Sequence, residues 1–152
     1  MASLAVMVAT VGGIGRIPVA SGTFGSLVAV PFLPALAVMR VQYPLACATL
    51  VVVLVALAIW SAGRAEEDLG GHDHSRIVID EVAGQVIAGL FIPPSWLAVG
   101  IAFVLFRLFD IVKPFPAGLI DGKVEGGVGV VGDDLVAGVY AGLGTLLLMR
   151  FL

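Results

Sequence analysis

The chain has 152 residues, of which 60% are hydrophobic and only 12% charged, against roughly 25% charged in an ordinary soluble domain. That balance excludes a water-soluble globular protein and leaves room for one membrane domain, residues 1–152, of a few spanning helices. A net charge of −3 without a basic arm or aromatic stacking platform speaks against nucleic acid as a partner, and the single cysteine, Cys47, excludes an intrachain disulfide or a Cys-rich metal site.

In chain order, residues 1–11 are apolar but too few to cross a bilayer. No Lys or Arg precedes them and no small-residue cleavage site follows, so they are read as retained and lying at the membrane interface. Gly12, Gly13 and Gly15 stop any helix there and lead into a connector, GGIGRIPVASGTFGS, that carries Arg16. Residues 24–39 are an apolar run, about 24 Å if wholly helical, in which Pro31 and Pro34 predict a kink or a break. After a short turn, residues 44–63 form the clearest span, closed by Trp60 as an interfacial anchor. A polar segment, 64–81, follows. Residues 82–92 and 96–111 are apolar halves separated by Pro93 and Pro94, and neither comfortably reaches the roughly 20 residues of a span. They predict a hairpin. A second polar segment, 107–134, precedes a last span at 135–148. The expected fold is all-α: a small polytopic membrane bundle of about three full spans plus a Pro-broken hairpin of two shorter helices.

This topology places the Gly-rich connector and both polar segments on one membrane face. All eleven acidic residues then share that face with Arg16, Arg64, Arg76, Arg107, Lys113 and Lys123, while only Arg40 and Arg150 fall on the other. Six basic residues against two assign the shared face to the cytoplasm by the positive-inside rule. The excess of acids there is a crowding that a divalent cation would relieve.

Three stretches concentrate the chemistry. HDHSRIVIDE, from His72 to Glu81, holds both histidines together with Asp73, Arg76, Asp80 and Glu81. As a helix it would align His72, Arg76 and Asp80 on one face and offer oxygen ligands to a hard cation; as a loop it would leave Asp80 to cap the next helix. In FRLFDIVKPFP, Arg107, Asp110 and Lys113 recur every third residue. They suit a phosphate gripped by guanidinium and ammonium beside a metal-holding carboxylate, or equally an ion pair at a helix end. Asp133 and Asp134 precede the last apolar run behind Gly126, Gly127, Gly129 and Gly132; a helix N-cap accounts for one of the two carboxylates and leaves the other. Ser21, Thr23 and Ser26 in SGTFGS stand where a helix N-terminus would favour an anion, or simply where a membrane helix begins.

Taken together, GRIPVASGTFGSLVAVP at 15–31, HDHSRIVIDEVAG at 72–84, and FRLFDIVKPFP at 106–116 continuing through GGVGVVGDDLVAG at 126–138 resemble the phosphatidylglycerophosphatase A family over nearly the whole chain. Ser21 stands where relatives often have Pro. The resemblance implies a bacterial inner-membrane, multi-pass lipid phosphatase with Mg2+ as cofactor, converting phosphatidylglycerophosphate to phosphatidylglycerol on the cytoplasmic face. Metal ligands are expected among Asp73, Asp80, Glu81, Asp110, Asp133 and Asp134. Catalytic roles fall to Asp80, Asp110, Arg107 and Lys113, and substrate contacts to Arg16, Ser21, Thr23, Ser26 and Arg76. With no CxxxxxR loop or DxDxT motif in the chain, water activated by the metal is the expected nucleophile. A small ion or proton transporter is the alternative from another class, since acidic residues at membrane depth also mark conduction paths. A noncatalytic lipid-binding subunit is a third.

Overall fold

A computed structural model describes residues 3–70 and 74–152. These form eight α-helices: α1 (Leu4–Ala9), α2 (Ser21–Ala29), α3 (Leu33–Gln42), α4 (Pro44–Leu69), α5 (Ile79–Gly89), α6 (Trp96–Val112), α7 (Ala117–Lys123) and α8 (Gly126–Leu148). No strand occurs among the described residues. Three segments are long and apolar enough to cross a membrane: Ser21–Gln42, Pro44–Leu69 and Gly126–Leu148.

The first span is broken where its prolines stand. Pro31 lies in a 3-10 turn, Val30–Phe32, and Pro34 opens α3, so both missing N–H groups fall where no α-helical bond is lost. Tyr43 then joins α3 to α4, which has Pro44 at its first position. At 26 residues, α4 is about 39 Å long, against a hydrocarbon core of roughly 30 Å. The helix therefore outruns the expected boundary at residue 63, and Arg64, Glu66, Glu67 and Asp68 stand on its last turns rather than in a loop. Pro93 and Pro94 separate α5, of 11 residues, from α6, of 17, as the hairpin reading required.

The larger difference lies at α8. Residues 126–134 were expected as a polar connector, yet the helix begins at Gly126, eight positions before Asp134. A glycine costs about 1 kcal/mol in a helix interior, and tertiary packing offsets it here. Gly127, Gly129, Val130 and Val131 are buried, with Gly127 laid against the Ile59 carbonyl of α4. Further along, a Cβ on Gly138 would overlap the Gly84 carbonyl oxygen of α5, so these two backbones approach as only small residues permit. Consequently α8 is the central helix, with half of its apolar stretch buried inside the protein against 22% for α4, whose outer face is left for lipid.

Burial divides between two clusters. One gathers Val6, Ala9, Ala29, Ala58, Ala62, Ala65, Ile79, Ala83 and Val131, where α1, α2, α4, α5 and α8 meet. The other gathers Leu33, Leu36, Cys47, Ala88, Ile92, Ala102, Phe106 and Ala141, tying the hairpin to α3, α4 and α8. The polar ends stay together: Val78 N–H donates to the Ala9 carbonyl at 2.9 Å, and Arg40 at the opposite end reaches the Leu90 carbonyl.

Candidate active site

Helix α5 begins at Ile79 with Val78 as its N-cap, so residues 74–78 are not helical and Asp80 and Glu81 occupy the first turn, favourably placed for the dipole. Of the two readings of HDHSRIVIDE, the structure favours the loop, although Asp80 lies inside the helix and does not cap it. His72 and Asp73 lie outside the described residues.

Asp80, Glu81 and Asp134 each present an oxygen within 4.8 Å of the other two. Asp80 and Asp134 are only 6% and 2% exposed. Gly84 puts Asp134 there: with no side chain of its own, it lets the backbone of α8 close onto α5, and an added Cβ would lie 2.6 Å from the Asp134 carbonyl oxygen. Asp110 stands beside the group, paired with Arg107, and its charge adds to the field on Asp134. Two full charges 4.8 Å apart, as among Asp80, Glu81 and Asp134, repel by about 3 kcal/mol at an effective dielectric near 20. A positive charge among them would remove that cost, and three carboxylate oxygens are the donor type a hard divalent cation takes.

One cation borders the cluster. Arg107 Nη1 lies 2.5 Å from Asp110 Oδ2 one turn along α6, 4.0 Å from Glu81 Oε1 and 3.5 Å from the Ser26 hydroxyl, to which it donates. Its Nε has no hydrogen-bond partner within the protein, nor do Glu81 Oε2 and Asp134 Oδ2. Such buried donors and acceptors are costly unless something else engages them. Gly22 of α2 faces the same place: a Cβ there would overlap the Glu81 carboxylate and stand 3.2 Å from Arg107 Nη1.

The remaining candidates are distributed unevenly. Asp133 follows the 100° step of the helix away from Asp134 and pairs with Lys113 at 2.7 Å, while Lys113 also holds Asp121 at 2.6 Å. Burial opposes the Lys113 charge, but the hydrogen bonds to Asp121 and Asp133 outweigh it and raise its pKa above the ordinary lysine value. Lys113 thus ties the end of α6 to α7 and α8 beside the cluster, not within it. Among the SGTFGS hydroxyls, Ser26 reaches the site, donating to the Gly22 carbonyl at 2.9 Å, whereas Ser21 donates to the Ser75 carbonyl at 2.9 Å. Thr23 is half-buried on α2. Arg16 and Arg76 are exposed on segments that touch, with Gly15 packed on the Arg76 carbonyl.

Gln85 escaped the sequence reading. Fully buried, one turn beyond Glu81 on the same line of α5, it has neither amide atom hydrogen-bonded. Its signal was a lone amide inside the apolar run 82–92, spaced by four from an acid.

Fold and site define a polytopic helical membrane protein with a buried cluster of carboxylates closed on one side by a guanidinium, an arrangement suited to phosphate esters held through a cation. The sequence matches the phosphatidylglycerophosphatase A family over residues 7–149. The chain belongs to that family and is a phosphatase. It is 37% identical to phosphatidylglycerophosphatase A of Escherichia coli (strain K12), over 85% of this chain and 74% of the relative. To the enzyme of the same name in Haemophilus influenzae it is 44% identical, over 56% and 53% of the two chains. A protein of Bacteroides thetaiotaomicron named putative phosphatidylinositol-3-phosphatase is 40% identical, over 91% of this chain and 89% of its own. No solved structure matches.

Proposed function

We propose that the protein hydrolyses the terminal phosphate monoester of phosphatidylglycerophosphate at the cytoplasmic face of a bacterial inner membrane, releasing phosphatidylglycerol and inorganic phosphate, with Mg2+ as cofactor. The observation that carries this reading is the meeting of Asp80, Glu81 and Asp134 beside Arg107 in a chain of this family. Membership in a named enzyme family disfavours the transporter.

Asp80, Glu81 and Asp134 would hold the ion, with Asp110 as the neighbouring fourth carboxylate. When bound, Mg2+ supplies charge to the phosphoryl oxygens and acidifies water. Arg107 binds the non-bridging phosphate oxygens, its Nε–H having no partner within the protein, and Asp110 fixes the guanidinium plane. Ser26 and the Gly22 backbone border the same phosphate position on α2. Water attacks phosphorus as the bond to the glycerol oxygen breaks; a cluster carboxylate accepts the water proton and releases it to solvent, and the departing alkoxide takes a proton from water at the aqueous edge. Exposed Arg16 and Arg76 would draw the anionic headgroup toward the entrance. Lys113, held by Asp121 and Asp133, fixes the α6 end that carries Arg107 and Asp110.

The deciding assay is phosphate release by purified protein from phosphatidylglycerophosphate, phosphatidic acid and phosphatidylinositol 3-phosphate in mixed micelles, with Mg2+ or chelator. The third lipid is included because one relative bears that name. Fastest release from phosphatidylglycerophosphate, abolished by chelator and restored by Mg2+, is expected. Preference for another lipid would overturn the substrate, indifference to chelator the cofactor, and a trapped phosphoenzyme the direct attack of water.

A further inference from the structure

Between α2–α3 on one side and α4 on the other runs an apolar cavity of about 370 Å³, floored by Val82 and Val86 of α5. It exists because the first span is broken at Pro31. Below the break α3 packs on α4 near their shared turn, while above it α2 packs chiefly on α5, so the two spans diverge toward the polar end. Small side chains at Ala29 and Ala35 leave the space open, and Phe32 and Leu50, both exposed, stand at its rim. Its upper end lies level with the candidate active site, on other faces of the same helices: Val28 is two residues beyond Ser26 on α2, and Val82 follows Glu81 on α5.

We propose that this groove holds one acyl chain of the lipid whose phosphate enters the carboxylate–arginine site. From Val28 to Met39 it extends about 16 Å along the helix axis, close to half of the roughly 30 Å hydrocarbon thickness, which is the reach of one chain hanging from a headgroup. Its mouth opens sideways, so a lipid enters without leaving the bilayer. Moving a chain from surrounding lipid into the groove gains little hydrophobic free energy, because lipid tails are as apolar as Val and Leu. The groove therefore selects by tethering and orientation: a phosphate engaged at Arg107 keeps its own chain at high local concentration beside Val28, and the seated chain in turn limits where the phosphate ester sits.

This inference rests on the lipid phosphatase reading, and two measurements keep the two separable. In the first, phosphate release is compared between long-chain and water-soluble short-chain forms of phosphatidylglycerophosphate. Ala35→Phe, which fills the groove from its rim, should lower kcat/KM for the long-chain form at least tenfold relative to the short-chain form. Val52→Phe, on the lipid-facing side of α4 and outside the groove, should leave that ratio unchanged. A folded Ala35→Phe protein with the wild-type ratio would overturn the groove. In the second, phosphatidylglycerophosphate with a mid-chain diazirine is photolysed with the wild-type protein. Labelling of residues 28–39 and 50–54 that unlabelled substrate competes away, and phosphatidylglycerol does not, supports the groove even if no hydrolysis is seen. Uniform labelling of the outer helix faces overturns it even if hydrolysis is rapid.

Discussion

Asp134→Asn separates a cation site from an ordinary buried polar network, because the two predict opposite signs. Asp134 is 2% exposed, and its carboxylate lies within 4.8 Å of oxygens on both Asp80 and Glu81. Without a cation, each pair of charges costs about 3 kcal/mol at an effective dielectric near 20; protonation of one member relieves part of this, leaving a net strain of about 1–3 kcal/mol. Asn keeps the shape and removes the charge. In chelator, then, the variant should be more stable than the wild type, by roughly 2–4 °C in Tm for each kcal/mol. Addition of Mg2+ should raise the wild-type Tm and leave the variant nearly unmoved, while kcat/KM falls by about 100-fold or more. Thermal unfolding in detergent, followed with and without Mg2+ alongside phosphate release, reads all of these. A variant that melts several degrees below the wild type in chelator would refute the reasoning, since Asp134 would then be a stabilising hydrogen-bond partner and not a strained ligand.

Gly22→Ala should displace the Glu81 carboxylate, which an added Cβ would overlap, and lower kcat more than Tm, because the flexible end of Glu81 yields before the α2 backbone does. Gln85→Met should raise Tm by removing a buried amide with no partner, worth about 1–3 kcal/mol, and lower kcat/KM if that amide engages the substrate; a loss of Tm would show that Gln85 is already bonded in the resting protein. Gly138→Ala should destabilise by about 1–3 kcal/mol, since its methyl meets the Gly84 carbonyl and the Ile87 Cβ at 3.1 Å, and wild-type Tm would contradict the tight α5–α8 approach. Lys113→Met should loosen the α6–α7–α8 junction by leaving Asp121 and Asp133 without their cation, seen as a lower Tm and faster amide exchange in residues 117–123.

Much of the bundle was legible because proline and hydropathy act locally. Pro31 and Pro34 broke the first span, and Pro93 with Pro94 split the hairpin, since each removes a donor wherever the chain goes next. Counting spans brought the residue 15–26 connector, Asp80, Glu81, Arg107 and Asp134 to one face, and in the structure the Gly22–Ser26 end of that connector meets Glu81 and Arg107, beside Asp80 and Asp134. The start of α8 was not legible. Gly126–Asp134 reads as a loop by propensity, and its helix exists through the contacts its glycines make with α4 and α7.

The finer division of labour also needed three dimensions. Nothing local distinguishes Asp133 from Asp134; a single 100° step turns one toward Lys113 and the other toward Asp80 and Glu81. Lys113 read equally as a phosphate ligand or as half of an ion pair at a helix end, and Asp121, eight residues on, holds it together with Asp133. Gln85 and Gly22 acquire meaning only from what faces them across a helix interface. Composition, proline and span parity are properties of the chain with itself and its solvent, so they determined a membrane bundle with its acidic residues toward one end. Which carboxylates converge, and which are neutralised by neighbours, depends on how helix faces are rotated against one another, and only packing sets that rotation.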